Sequence, residues 1–142
     1  MQSLVAKNAG SVAEGRPLRM FKSYKSGVAD GEQSRDFIYV KDCSAVVLWL
    51  LNNPQVSGLF NLGTGQARSF KDLMLALGTA RGNKVKFEFV EMPESNRDQY
   101  QYFTQADMSK LRRTGYEAPF FSIEAGVRDY VLNYLSQADP FR

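Results

Sequence analysis

Histidine is absent from the 142 residues, and cysteine occurs once, at Cys43. Without histidine there is no Ser-His-Asp triad, no Cys-His pair and no zinc site built on imidazole. A single cysteine closes no intrachain disulfide and no CxxC metal cluster, and it points to no oxidising compartment. Long apolar runs are missing too. The longest, Ala45 to Leu51, falls far short of the roughly 20 residues that a membrane-crossing helix needs. No basic region followed by an apolar segment opens the chain, so no secretory signal is read and the cytoplasm is the expected compartment. Charge of one sign is also scarce: 18 basic against 15 acidic residues leave a net +3. The basic residues are spread along the chain, and no RNP-like or helix-turn-helix pattern accompanies them. Neither nucleic acid nor a membrane is an expected partner. A small anionic ligand suits the modest excess equally well.

What is present is core material. Hydrophobic residues make up 44% of the chain and aromatics 13%, with ten Phe and seven Tyr. That composition argues against disorder, and the length is one domain's worth or a large piece of one. No internal repeat or low-complexity stretch is evident.

Local signals predict the order helix, strand, loop, strand, helix, strand, helix, strand, loop, helix, helix, a mixed α/β arrangement. A first helix is expected from Met1 to about Glu14, with Leu4, Val5 and Val12 as its apolar positions and Gly15 at its end. The opening residues look like the interior of that helix, with no N-cap ahead of them, which reads as truncation rather than a domain start. Leu18 to Lys22 is an expected strand, and Ser23 to Ser34 a long polar loop of the kind that is often functional. Arg35 to Val40 is a second expected strand. Lys41-Asp42 leads into a helix whose apolar run to Leu51 predicts burial on most faces. Ser57 to Leu62 is expected as a strand stopping at a glycine turn, Gly63-Thr64-Gly65. Ser69 and Asp72 look like an N-cap and an approximate capping box for a helix from Phe70 to about Arg81. Val85, Phe87 and Phe89 alternate with Lys86 and Glu88, a half-exposed strand. Pro93 to Gln105 reads as an irregular loop. A short helix follows from Asp107 to Gly115, and a last one from Ser122 to about Ser136. That last helix carries Ile123, Val127, Tyr130, Val131 and Tyr134 on one stripe. Gly63-Thr64-Gly65 lacks the third glycine of a dinucleotide fingerprint, since position 68 is Arg.

The segments Arg35 to Asp42 and Gly58 to Gly65, at this separation, resemble the C-terminal part of the extended short-chain dehydrogenase/reductase family of nucleotide-sugar epimerases and dehydratases. Ala106 to Arg113, then Gly115-Tyr116 and a final amphipathic helix, follow the same pattern. Phe21 to Tyr24, Ala29 to Gln33 and Tyr100 to Asp107 resemble, within it, the epimerases that invert C6 of ADP-glyceromanno-heptose for lipopolysaccharide core synthesis. The resemblance covers essentially the whole chain, 1–142, as a substrate-binding C-terminal portion lacking the N-terminal Rossmann core. The family's glycine-rich cofactor loop and its Tyr-x-x-x-Lys pair have no counterpart: Tyr24, Tyr39, Tyr100, Tyr102, Tyr116 and Tyr130 all lack a lysine four residues on.

The resemblance implies NADP in the intact parent, with none held tightly by this chain, and no turnover by this chain alone. It implies an ADP-sugar ligand and a homo-oligomeric parent. By motif position it places Phe21, Lys22, Ser23, Tyr24, Arg35 and Tyr100 against that ligand, with Lys7 a weaker candidate. The chemistry is sound on its own terms. Arg35 offers a planar, permanently charged fork for a diphosphate, Lys22 a point charge, and Ser23 a hydroxyl and an amide. Phe21 or Tyr24 can pack on a base, and Tyr100 can hydrogen-bond phosphate or sugar. Plainer roles stand beside these: surface charge for Arg35, Lys22 and Lys7, core packing for Phe21, packing beneath the loop for Tyr100. Cys43 reads as structural, Gly63 and Gly65 as turn glycines, and Asp42 as favouring its helix N-terminus. A non-catalytic nucleotide-sugar-binding module, or part of another epimerase or dehydratase, is the alternative. Loss of the sheet neighbours of residues 59–62 predicts an exposed apolar edge and self-association.

Overall fold

The computed structural model describes residues 3–139. Helix α1 (Leu4–Ala13) starts at Ser3, whose hydroxyl accepts the Ala6 amide at 3.1 Å. The expectation of an uncapped start is therefore wrong: the cap, Ser3, lies one residue before Leu4, the first apolar position of the helix. Val5, Ala9 and Val12 fall on one stripe and are buried. Gly15, at φ +67°, turns the chain away. Strand β1 (Leu18–Phe21) follows, and after a loop comes β2 (Ser34–Arg35). Helix α2 (Val40–Leu51), β3 (Arg68–Ser69) and α3 (Phe70–Arg81) come next.

The start of α3 bears out the local reading. Ser69 Oγ accepts the Asp72 amide at 3.0 Å, and Asp72 Oδ2 accepts the Ser69 amide at 3.2 Å. Gly82, in the left-handed region at φ +70°, closes the helix. Beyond it lie β4 (Phe87–Val90), α4 (Glu94–Arg97), α5 (Ser109–Arg113) and α6 (Ile123–Tyr130). Helix α6 loosens into a π-helical turn over Val131–Leu135, which its stripe of apolar residues gave no sign of. The expected irregular loop thus contains α4.

Two small sheets organise the strands. β1 and β4 are parallel, with Leu18 opposite Phe87 and Phe21 opposite Val90. β2 and β3 are antiparallel, and an isolated bridge joins Ser34 to Phe103. Two expected strands are corrected. The one from Arg35 to Val40 pairs only at its first residue and then runs extended into α2. The one from Ser57 to Leu62 forms no ladder among the described residues. A β-branched or aromatic run favours the extended backbone, but a strand also needs a partner with free backbone groups.

The larger core joins α1, α3 and α6 through Val5, Val12, Leu73, Leu77, Val127 and Val131. A second cluster gathers Val46, Met108, Leu111 and Tyr116, with Trp49 and Phe60 packed against it. Helix α2 is not buried on most faces as its composition predicted. Val46 is buried, whereas Val47, Leu48 and Leu51 are 53%, 59% and 72% exposed. Leu59 is 87% exposed beside them in sequence order. The mixed α/β class is as expected, and no helix among the described residues is long and apolar enough to cross a membrane.

Candidate substrate site

The loop after β1 is a closed structure rather than a free strap. Gly31 allows it to turn at φ +79° and to press against Met20 and Phe89, where a Cβ would sit 3.2 Å from each. Gln33, buried, donates its amide to the carbonyls of Phe21 and Lys22 at 3.4 and 3.5 Å. The Ser23 amide donates to Asp30 Oδ1 at 2.6 Å. Ser23 was expected to offer that amide to a phosphate; it is already used, and the hydroxyl bridges to the Lys25 backbone at 3.3 Å.

At the foot of this loop lies a cleft of 230 Å³. Phe21, Gln33, Phe70 and Tyr100 line it, with Leu4 and Asn8 from α1. The Arg35 guanidinium flanks it, 5.7 Å from the ring centres of both Phe70 and Tyr100. Arg35 Nη1 donates to the Ser34 carbonyl at 2.9 Å, and no carboxylate among the described residues pairs with it. Burial pushes the Tyr100 hydroxyl up from its ordinary value, partly offset by the Arg35 charge. Tyr100 meets Tyr102 edge-on at 5.2 Å, and the Tyr102 hydroxyl accepts the Tyr24 amide at 3.0 Å. The aromatic segment 100–102 therefore ties the β1 loop to the flank of Arg35.

Lys22 and Tyr24 converge on a residue that the sequence reading did not single out. Lys22 Nζ donates to Glu91 Oε1 at 2.6 Å, and the Tyr24 hydroxyl donates to Glu91 Oε2. The Glu91 hydrogen bond raises the Lys22 pKa, and the Lys22 bond lowers that of Glu91. Arg97 lies 3.9 Å over the Tyr24 ring, with Nη2 at 3.8 Å from Glu91. Glu91 was not legible because its place beside Lys22 follows from the parallel register of β1 with β4, a non-local fact. Arg97, Gln33 and Tyr102 were missed similarly: each acts through a contact far away in the chain. Of the seven predicted site residues, Phe21 and Tyr100 line the cleft, Arg35 lies against Tyr100 and Phe70 beside it, and Lys22, Ser23 and Tyr24 belong to the adjoining segment. Lys7 stands apart, exposed on α1 and not among the cleft residues.

The glycine turn has a different task from holding phosphate. Asp36 accepts the Thr64 amide at 2.7 Å, the Thr64 hydroxyl at 2.5 Å, the Gly65 amide at 2.9 Å and the Ala106 amide at 3.1 Å. Burial pushes its carboxyl up, but these hydrogen bonds outweigh burial and hold it below the usual carboxylate range. A Cβ at Gly63 would lie 2.5 Å from Asp36 Oδ2 and 2.6 Å from Ala106 Cβ, so only glycine fits. The Gly63 amide donates to Met108 Sδ. All three turn amides are thus taken by protein groups. This turn therefore has no free amide to offer a dinucleotide phosphate.

Comparison with known proteins gives three findings. The sequence model of the NAD dependent epimerase/dehydratase family matches residues 1–63. The ADP-L-glycero-D-manno-heptose-6-epimerase of Nitratidesulfovibrio vulgaris (strain DP4) is 46% identical over 141 residues, 99% of this chain and 44% of that protein. Solved epimerase structures share the fold. The ADP-L-glycero-D-manno-heptose-6-epimerase of Helicobacter pylori superposes with TM-score 0.69 at 24% identity, over 94% of this chain and 38% of the other. The UDP-glucose 4-epimerase of Thermus thermophilus, solved in complex with NAD, superposes with TM-score 0.67 at 24% identity, over 87% and 37%. The chain therefore spans less than half the length of the relatives it matches.

Proposed function

We propose, starting from a chain related to the NAD dependent epimerase/dehydratase family, that residues 1–142 are the substrate-binding portion of a nucleotide-sugar epimerase. The sugar in this reading is ADP-glycero-manno-heptose, inverted at C6 in the cytoplasm for the lipopolysaccharide core. NADP, held by protein outside this chain, supplies the hydride chemistry. The present residues bind the ADP-sugar and orient it. Lacking the Tyr-x-x-x-Lys pair, they turn nothing over by themselves.

The observation that carries the reading is Arg35. Its guanidinium lies over Phe70 and Tyr100, two rings that line the cleft, with its fork engaged by one backbone carbonyl and no carboxylate. A permanently charged, planar donor held in this way fits a diphosphate, and the half-buried Tyr100 and exposed Phe21 near it offer a surface for a base or sugar. ADP-ribose supplies adenine, diphosphate and a sugar in one probe. Calorimetric titration is expected to show weak binding to the chain, and Arg35→Ala is expected to weaken it about 10- to 100-fold, the worth of a charge-assisted hydrogen-bond pair. Equal affinity of the two proteins, or no binding by the unaltered chain, would overturn the reading.

A further inference from the structure

The two ends of the proposed site differ in charge. At one end Arg35 faces rings and a carbonyl, with no acidic partner among the described residues. At the other end Lys22 and Arg97 both face Glu91. Glu91 also accepts the Tyr24 hydroxyl, and the Arg97 guanidinium covers the Tyr24 ring. One carboxylate thus accepts from Lys22 and Tyr24 and faces a second cation, Arg97, at 3.8 Å. Glu91 itself borders an open groove with Arg19, Phe21, Val90 and Pro93.

We propose that Glu91 is a specificity-determining residue, engaging Lys22 and Arg97 so that a ligand's anionic group is taken at Arg35 rather than at either of them. The Lys22–Tyr24 end then receives an uncharged, hydroxyl-bearing group, for which a carboxylate is a strong acceptor. A further phosphate at that end would have to displace the Glu91 carboxylate from Lys22 and Tyr24. This rests on the nucleotide-sugar reading for the identity of the ligand, while the screening itself rests on the contacts of Glu91.

Inorganic pyrophosphate, which carries charge but no sugar, separates the two. Its binding is followed by NMR at Tyr24 and at the arginine Nε–Hε groups in the unaltered chain, Glu91→Gln, Glu91→Asp and Glu91→Gln combined with Arg35→Ala. In the unaltered chain the expected response is at Arg35 and not at Arg97 or Tyr24. Glu91→Gln is expected to gain a response at Arg97 and Tyr24, at least about tenfold tighter than before, since a like charge at contact distance is removed. That response should survive Arg35→Ala. Glu91→Asp, which keeps the charge, should stay silent there. The proposal is overturned if Glu91→Gln remains silent at Arg97, if the unaltered chain already binds there as tightly, or if Glu91→Asp responds as Glu91→Gln does. If the unaltered chain shows no response at Arg35 while Glu91→Gln responds at Arg97, the screening stands and the nucleotide-sugar reading fails.

Discussion

Helices α1 and α2 are both rich in apolar residues, α2 the more so, and they meet opposite fates. In α1, Val5, Ala9 and Val12 recur along one stripe, and each is buried in the core that α1 shares with α3 and α6. In α2 the apolar run is almost unbroken, yet only Val46 of its apolar residues is buried, while Val47, Leu48 and Leu51 face solvent. A stripe specifies one face and is satisfied by one neighbour. A continuous run asks for cover on several sides, and the described residues supply it on one. The candidate site leans on the first kind of region: Leu4 and Asn8 of α1 and Phe70 and Met74 of α3 line its cleft. We propose that protein outside this chain covers the second, in keeping with relatives of more than twice the length.

Four substitutions sharpen this contrast, taken from the largest effect down. Leu77 is fully buried in the core shared by α1, α3 and α6. Leu77→Ala should cost about 2–5 kcal/mol in urea unfolding, through lost transfer energy and the cavity left behind. A cost near zero would mean that this core does not hold the chain together.

Asp36 comes next, since it joins the 63–65 turn and Ala106 to the strand that bears Arg35. Asp36→Asn should cost about 1–3 kcal/mol at neutral pH, the scale of hydrogen bonds to a charged group. The sign with pH follows from its depressed carboxyl pKa. The stabilisation is present above the unfolded-state value and is lost as pH falls through the lower folded value. The difference between Asp36→Asn and the unaltered chain should therefore shrink on acidification. A difference that grows towards low pH would contradict the assigned contacts.

Ser69→Ala, removing the α3 cap, should cost about 1 kcal/mol by the same unfolding measurement. Smallest for stability is Leu48→Ser on the uncovered face, within about 0.5 kcal/mol of neutral. Its effect should instead appear in sedimentation, as less self-association than the unaltered chain. A large loss of stability without any change in association would mean that this face is packed after all.

Legibility in the sequence follows the range of the interaction. Ser69, Asp72 and Gly82 specify the limits of α3 through hydrogen bonds within a few residues, and the alternation of Val85, Phe87 and Phe89 foretold a half-exposed strand. Gly115 ends α5, and Ser122 caps α6, for the same local reason. Residues 37–40 and 59–62 have strand-like composition but no ladder, because pairing depends on a partner that composition cannot name. In the site, Phe21, Arg35 and Tyr100 were found through motif resemblance; Phe21 and Tyr100 line the cleft and Arg35 lies against the Tyr100 ring. Glu91 and Arg97 were not, because their neighbours depend on the β1–β4 register and on the turn at α4. Gly63 looked like a turn glycine, but its φ is not positive; what demands glycine is the approach of Asp36 and Ala106.

The most direct test is a backbone NMR titration of the chain with ADP-ribose. The account predicts shifts concentrated at residues 21–24, 33–35 and 97–102, with α2 silent at Val47, Leu48 and Leu51. Shifts centred on α2, or none at Arg35 and Tyr100, would contradict it.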